Sequence, residues 1–246
     1  MHPSPAPDAS PSGDVRLRAV RRADHPFLLA LYGSVRAPEL RGCLWSRRQK
    51  DAFIADQFRL QQAHYRRAHP AADYWVVDRI DEGGAWIPIG RLSLDRSESE
   101  WHLIELSLLP AERGCGRGTA LVRWIQQAAE AGAADAVGLH VEIDNSAAIR
   151  LYARAGFGRK PSRFATHAFL RWTPPTRAQE DGRRNPSLPE PGLAAAASIS
   201  APQGSFCGCA VPAAEKSISA SLSCRYAGQT GSPAALGFPV FAKLTI

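Results

Sequence analysis

The chain has 246 residues, of which 45% are hydrophobic, enough for a real core in one large domain or two small ones. No run approaches the roughly 20 apolar residues of a membrane span. The opening MHPSPAPDASPSGD has neither the basic nor the apolar segment of a secretory signal, so a cytoplasmic protein with no membrane partner is expected. The formal net charge of +7 is spread over scattered arginines such as Arg16, Arg18, Arg47, Arg48, Arg66 and Arg67. It is not gathered into the one-faced footprint that a nucleic-acid partner requires, and it suits an enzyme that handles a polyanionic cofactor.

In chain order, residues 1–13 are Pro, Ser and Ala with almost no large apolar side chain and are expected to be disordered. Residues 15–20, VRLRAV, alternate as a short strand. Asp24 is placed to cap a helix with Pro26 in its first turn and Phe27, Leu28, Leu31 and Tyr32 on one face. Ser46 with Gln49 reads as a capping box. It opens a long helix whose apolar side carries Phe53, Ile54, Gln57, Phe58 and Leu60 and which stops at His69-Pro70. Residues 74–78, 86–95 and 101–109 read as strands, with turns at 81–84 and at the SESE segment. Residues 116–131 read as a helix ended near Gly132, 137–143 as a strand, 145–154 as a helix, and 157–160 with 163–172 as a closing pair of strands. Residues 174–246 become a Pro/Gly/Ala/Ser tail of low complexity with no period, expected to be disordered. The five cysteines (Cys43, Cys115, Cys207, Cys209 and Cys224) are odd in number and irregularly spaced. They form neither a disulfide framework nor a paired metal site, and no metal is expected.

The stretch LIELSLLPAERGCGRGTALVRWIQQAA carries the chemistry. A strand ends at Pro110, a glycine-rich loop follows, and a helix begins. The N–H groups of a helix's first turn have no partner within the helix and, with the helix dipole, favour an anion. Gly114, Gly116 and Gly118 keep Cβ atoms out of its way, Thr119 offers a hydroxyl, and Arg113 and Arg117 add charge. A nucleotide P-loop would need GxxxxGK[ST], and there is no lysine. A dinucleotide fingerprint would need GxGxxG, and the last spacing is wrong.

The pattern present is R-x-x-G-x-G, and Arg113-Gly114-Cys115-Gly116-Arg117-Gly118 resembles the pyrophosphate loop of the GNAT N-acetyltransferases. A second motif, VEIDNSAAIRLYARAGF, resembles the later signature of the same family at Asn145, Ala148, Leu151, Tyr152, Gly156 and Phe157. The resemblance spans residues 14–173 and looks closest to a little-characterised bacterial subgroup with an LLPxxRGxG…LHVxxxN arrangement. It implies an α/β (α+β) GNAT fold: a mixed, mostly antiparallel sheet with helices on both faces and splayed parallel strands at the centre, over residues 104–109 and 137–143.

Acetyl-CoA is then the implied co-substrate. Its pantetheine arm would meet main-chain groups around Leu106–Leu108, and its pyrophosphate would rest on Arg113, Gly114, Cys115, Gly116, Arg117, Gly118 and Thr119. Asn145 would bond the cofactor or fix the strand–helix corner. Tyr152 would protonate the departing thiolate, and a backbone N–H near Leu108 would meet the oxyanion. Glu105 is the first candidate for the base that frees the amine. His140 is its competitor, standing where the ribosomal-protein N-terminal acetyltransferases carry a glutamate, and a water chain is a third route. Arg117 departs from the family's aliphatic residue. Cys115 reads as a small loop residue, since transfer in this family is direct.

The acceptor is expected to be a primary amine of unspecified identity, small molecule or peptide. It would be bound by the N-terminal helices, the loop over 36–46 and the closing strands, with Trp45, Trp75 and Tyr32 as candidate lining. A homodimer is compatible with this. The alternative is a GNAT-fold sensor that binds acyl-CoA without turnover.

Overall fold

Alternating burial makes the first strand of the computed structural model, which describes residues 11–175. The expectations for residues 1–10 and 176–246 lie outside the described residues. In β1 (Val15–Ala19), Val15 and Leu17 turn inward. Arg18 then ties three elements together. Its guanidinium grips Asp24 through two bonds of 2.7 and 2.8 Å and reaches Asp78 at 2.8 Å. Asp24 does stand at the N-cap of α1 (His25–Arg36), but its carboxylate makes no cap bond to the helix. It faces Arg18 and accepts from the Arg21 N–H instead, because a charge-assisted bidentate pair outcompetes one amide. The box at Ser46 forms as expected: Gln49 N–H donates to Ser46 Oγ at 3.3 Å, and Ser46 N–H donates to Gln49 Oε1 at 2.9 Å. It opens α2 (Arg47–Ala68).

The buried stripe of α2 is Phe58, Gln61 and Tyr65, while Leu60 is exposed. The inward face is thus rotated from the expected one, and its spacing of three and four residues is that of one helix face. There follow β2 (Asp73–Ile80), β3 (Trp86–Asp95) and β4 (Glu100–Leu108), then α3 (Arg117–Ala131), β5 (Ala136–Glu142), α4 (Ser146–Arg154), β6 (Gly158–Lys160) and β7 (His167–Trp172). The last strand starts later than expected because residues 161–166 form a loop closed by Ser162, whose Oγ accepts from Phe164 N–H.

The strands form one sheet of seven in the order β1-β2-β3-β4-β5-β7-β6. All pairs are antiparallel except β4 and β5, which the α3 crossover makes parallel. Alternate residues send the strands' side chains to two layers. Val76 packs with Leu28 of α1 and Phe58 of α2. Trp75 and Val77 join the main core with Leu121 and Ile125 of α3 and Tyr152 of α4. Helices therefore cover both faces, and Trp75 belongs to the α3 side, away from α1 and α2.

Two irregularities shape the centre. The β3–β4 register shifts between Ser93 and Leu94: Ser93 pairs with Glu105 and Leu94 with Leu103, so Ile104 is an extra residue, a β-bulge. The β4–β5 ladder runs only from Glu100↔Ala136 to Leu103↔Leu139. Beyond it the two strands stay paired to β3 and β7 but not to each other, and the sheet opens into a cleft.

Gly90 opposes Leu108 where β3 supports this opening, and a Cβ there would lie 2.5 Å from both the Ser107 carbonyl oxygen and the Leu108 side chain. Gly90→Ala should therefore cost about 1–3 kcal/mol of stability through forced displacement of β4. Urea unfolding would read this as a lowered midpoint.

Candidate active site

The bulge decides which side chains of β4 look which way. Leu103 faces the α3 layer, and after the extra Ile104 so do Leu106 and Leu108, all three with no exposed surface. Glu105 and Ser107 consequently face α1 and α2, where Leu28, Leu31, Tyr32 and Phe58 surround a cavity with them. Glu105 is 6% exposed. It is not the outward polar residue that simple alternation would allow. Its Oε2 lies 3.3 Å from Arg91 Nη1, and its Oε1 accepts from Ser107 Oγ at 3.3 Å. Arg91, only 3% exposed, also donates from Nη2 to Gln62 Oε1 at 2.9 Å.

His140 stands on the same face, one strand away. Its ring lies 4.9 Å from Phe169 and 5.6 Å from His102, centroid to centroid, and His102 stacks in turn on His69. His69 Nδ1 meets Asp95 Oδ2 at 2.8 Å. Burial, then nearby Arg163, lowers the His140 pKa, which leaves a neutral imidazole at neutral pH. His102 is pushed down further, to about 4, chiefly by burial and then by His140 and His69.

Tyr152 occupies the opposite layer. It has no exposed surface, its ring makes an edge contact with Phe157 at 5.3 Å, and its hydroxyl is buried without a hydrogen-bond partner. Burial raises its pKa well above the ordinary tyrosine value, so the hydroxyl keeps its proton. The candidate acid and the candidate bases thus lie on different sides of the opening between β4 and β5.

At the C-terminal end of β4 a 3₁₀ turn, Pro110–Glu112, leads into the glycine loop. Gly114 and Gly116 have φ of +77° and +85°, a region that costs side chains steric strain. Neither has an atom within 4 Å of where a Cβ would sit, so open space flanks the backbone. Ala120 N–H donates to Gly116 O, but the N–H groups of residues 114–119 have no backbone acceptor among the described residues. Gly116 is the N-cap of α3 and offers no side chain to satisfy them.

The two arginines of the loop are engaged with the protein. Arg113 Nε donates to Leu108 O at 2.9 Å, while its Nη2 is buried without a partner. Arg117 Nη1 lies 2.8 Å from Glu112 Oε2, and Glu112 also receives Arg79 at 3.1 Å. Cys115 Sγ donates to Glu112 O at 3.1 Å, Gly118 is buried at the start of α3, and Thr119 is half-buried. Asn145 Oδ1 accepts from Ala148 N–H at 3.1 Å, closing the corner between β5 and α4.

Gln61, Arg91, Ser107 and His102 also gather at this face, though the sequence did not single them out. Gln61 was reachable from the period of α2, three residues beyond Phe58. Ser107 depends on the bulge, which no local pattern announces.

The His102 shift has a sign that can be tested. Its folded pKa, about 4, lies below the ordinary histidine value, so between the two the unfolded chain binds the extra proton. Stability from this residue is intact above about pH 6.5 and is lost as the pH falls toward 4. Urea unfolding should show wild-type protein weakening from pH 7 to pH 5, and His102→Asn should remove part of that decline.

The model of the acetyltransferase (GNAT) family matches residues 37–157. No curated protein matches the chain. Among solved structures, the chain is similar to the PaiA N-acetyltransferase of Thermoplasma acidophilum in complex with coenzyme A, with 14% identity, 65% of this chain and 98% of that one covered, and a TM-score of 0.49. It is similar to the spermidine N-acetyltransferase of Vibrio cholerae in complex with CoA and spermine, with 18% identity, coverage of 66% and 97%, and a TM-score of 0.47. A third likeness is to an acetyltransferase of Agrobacterium tumefaciens, with 17% identity, coverage of 65% and 91%, and a TM-score of 0.46. At these scores the likenesses carry none of the functional reading.

Proposed function

The chain belongs to the GNAT acetyltransferase superfamily through residues 37–157, and from that premise we propose that it is an N-acetyltransferase that moves the acetyl group of acetyl-CoA to a primary amine by direct attack, with residues 14–173 as the unit that does so. The observation that carries this reading is the parallel ladder that stops at Leu103↔Leu139 with a row of N–H groups, residues 114–119, beyond the end of β4 that have no backbone acceptor among the described residues. The fit to the co-substrate is chemical. A diphosphate needs donors, open space and no Cβ, and the loop supplies all three. Arg113 and Arg117 contribute through the field they add and through the shape they give the loop, since their bonds run to Leu108, Glu112 and Cys115. Asn145 acts by holding the corner between β5 and α4.

Acetyl-CoA supplies an activated thioester, and the residues of this chain manage protons around it. The acceptor ammonium must lose one proton before its nitrogen can attack. Glu105 or His140 takes it from the α1–α2 side, where both reside. On the other side, the Tyr152 hydroxyl delivers a proton to the sulfur as the carbon–sulfur bond gives way to the carbon–nitrogen bond. A buried hydroxyl with no partner and a raised pKa suits that task, because it stays protonated and is free to bond an incoming sulfur.

The sensor reading draws on one observation, the engagement of Glu105 with Arg91 and Ser107, which occupies the first candidate base. Thiol release from acetyl-CoA with a panel of amines separates the two readings: a sensor binds and releases nothing.

Tyr152→Phe preserves the packing and removes only the hydroxyl. It should lower kcat by about 100-fold while leaving acetyl-CoA affinity by calorimetry within about twofold of wild type. If the kcat of Tyr152→Phe matches wild type, Tyr152 is a packed aromatic and the proton comes from solvent.

A further inference from the structure

Glu112 stands immediately before the glycine loop and is buried, only 8% exposed. On charge alone a carboxylate beside a diphosphate seat is unfavourable, because like charges repel. Its bonds give it a different role. Arg79 Nε of β2 donates to both carboxylate oxygens, at 3.1 and 3.2 Å, and Arg117 Nη1 lies 2.8 Å from Oε2. Arg117 is the first residue of α3, so this ion pair spans the loop from the residue before it to the residue after it. The same Arg117 Nη1 donates to Cys115 Sγ at 2.8 Å, and Cys115 Sγ donates to Glu112 O at 3.1 Å. These bonds close a ring that runs from the Glu112 carboxylate through Arg117 and Cys115 to the Glu112 carbonyl. Gly114 and Gly116 lie inside the ring, both at positive φ and both flanked by open space. Glycines leave a loop many conformations, and selecting one of them costs entropy. A loop ordered before its ligand arrives spares binding that cost.

We propose that Glu112 is a positioning residue, which through Arg79 and Arg117 holds the glycine loop in the shape that presents its N–H groups to the diphosphate of acetyl-CoA. The proposal rests on the acetyl-CoA reading above, and it gives Glu112 no contact with the co-substrate. Arg79 anchors the clip to the sheet, and Arg117 carries it across the loop, with Asp14 Oδ2 at 3.7 Å from Arg117 Nη2. Arg113, at the near end, is tied back separately by its bond to Leu108 O. Charge and position make opposite demands on a substitution here. A carboxylate acting through its charge alone would weaken the field of Arg79, Arg113 and Arg117, so neutralising it would tighten binding of a diphosphate. A carboxylate that positions the loop has the reverse effect. Neutralising it weakens both ion pairs, frees the glycines and loosens binding.

The experiment titrates acetyl-CoA calorimetrically into the full chain as wild type, Glu112→Gln, Arg117→Met and the double variant. Hydrogen exchange of the amides of residues 114–119 is measured on each protein without ligand, and thermal unfolding checks that each is folded. Glu112→Gln, matched in shape, should raise the Kd for acetyl-CoA about tenfold and speed exchange of the loop amides, with exchange in β3 and β4 unchanged. Because both residues act through one clip, the double variant should bind no more than about threefold more weakly than the weaker single variant. Unchanged or tighter binding by a folded Glu112→Gln would overturn the proposal and leave the acetyl-CoA reading standing. A double variant whose loss equals the product of the two single losses would also overturn it, because Glu112 and Arg117 would then act separately. If Glu112→Gln does not fold, Arg117→Met decides, and unchanged exchange of its loop amides overturns the clip. No heat from acetyl-CoA with wild type would sink both the clip and the acetyl-CoA reading.

Discussion

Four residue pairs of β4 and β5 hold together, and then the hydrogen bonding between them stops. This interruption is the constraint on which the rest of the structure depends. A continuous parallel ladder would fill the centre of the sheet with backbone partners and leave nothing between the strands. The break costs paired amides, which are rarely given up inside a fold, and the protein meets that cost by keeping β4 on β3 and β5 on β7 along their outer edges. The bulge at Ile104 sits at the same point. It adds one residue to β4, returns Leu106 and Leu108 to the α3 layer, and sends Glu105 and Ser107 to the α1–α2 layer.

From that break follows a division of labour between the two faces. On the α3 side are an apolar core, a tyrosine with a spare hydroxyl and a helix whose first N–H groups lack backbone acceptors among the described residues. On the α1–α2 side are a paired Arg91 and Glu105, two imidazoles, His102 and His140, whose pKa values burial lowers, and apolar walls from two helices. The two proton tasks proposed for these faces need opposite environments. Burial raises a tyrosine's pKa and lowers a histidine's by the same mechanism, disfavouring whichever form is charged. One fold thereby holds a protonated donor on one side and an unprotonated acceptor on the other at the same pH.

Much of this was legible in the chain itself. Ser46 and Gln49 announced α2, the turn of Asp81 announced the β2–β3 hairpin, and the run from Arg113 to Thr119 announced a glycine loop opening a helix, because caps, turns and glycine loops are local chemistry. What escaped was set by distant partners. Asp24 looked like a cap and became a partner of Arg18. Leu60 looked buried and is exposed, while Gln61 beside it is buried, because the facing strands and not the helix decide which stripe turns in. Glu105 could not be assigned a face from alternation, since a bulge one residue earlier resets it. Arg113 and Arg117 read as charges beside the loop, but their bonds to Leu108 and Glu112 were not readable, since no local pattern shows which carboxylate or carbonyl will claim a guanidinium.

The central claim is that the amides of residues 114–119 bind a diphosphate. Calorimetric titration of the full chain with acetyl-CoA and with S-acetyl-pantetheine, which has the same thioester arm but no diphosphate, tests it most directly. The account predicts clear binding of acetyl-CoA and loss of most of that affinity without the diphosphate. Equal affinity for the two, or no heat from acetyl-CoA at all, would contradict it.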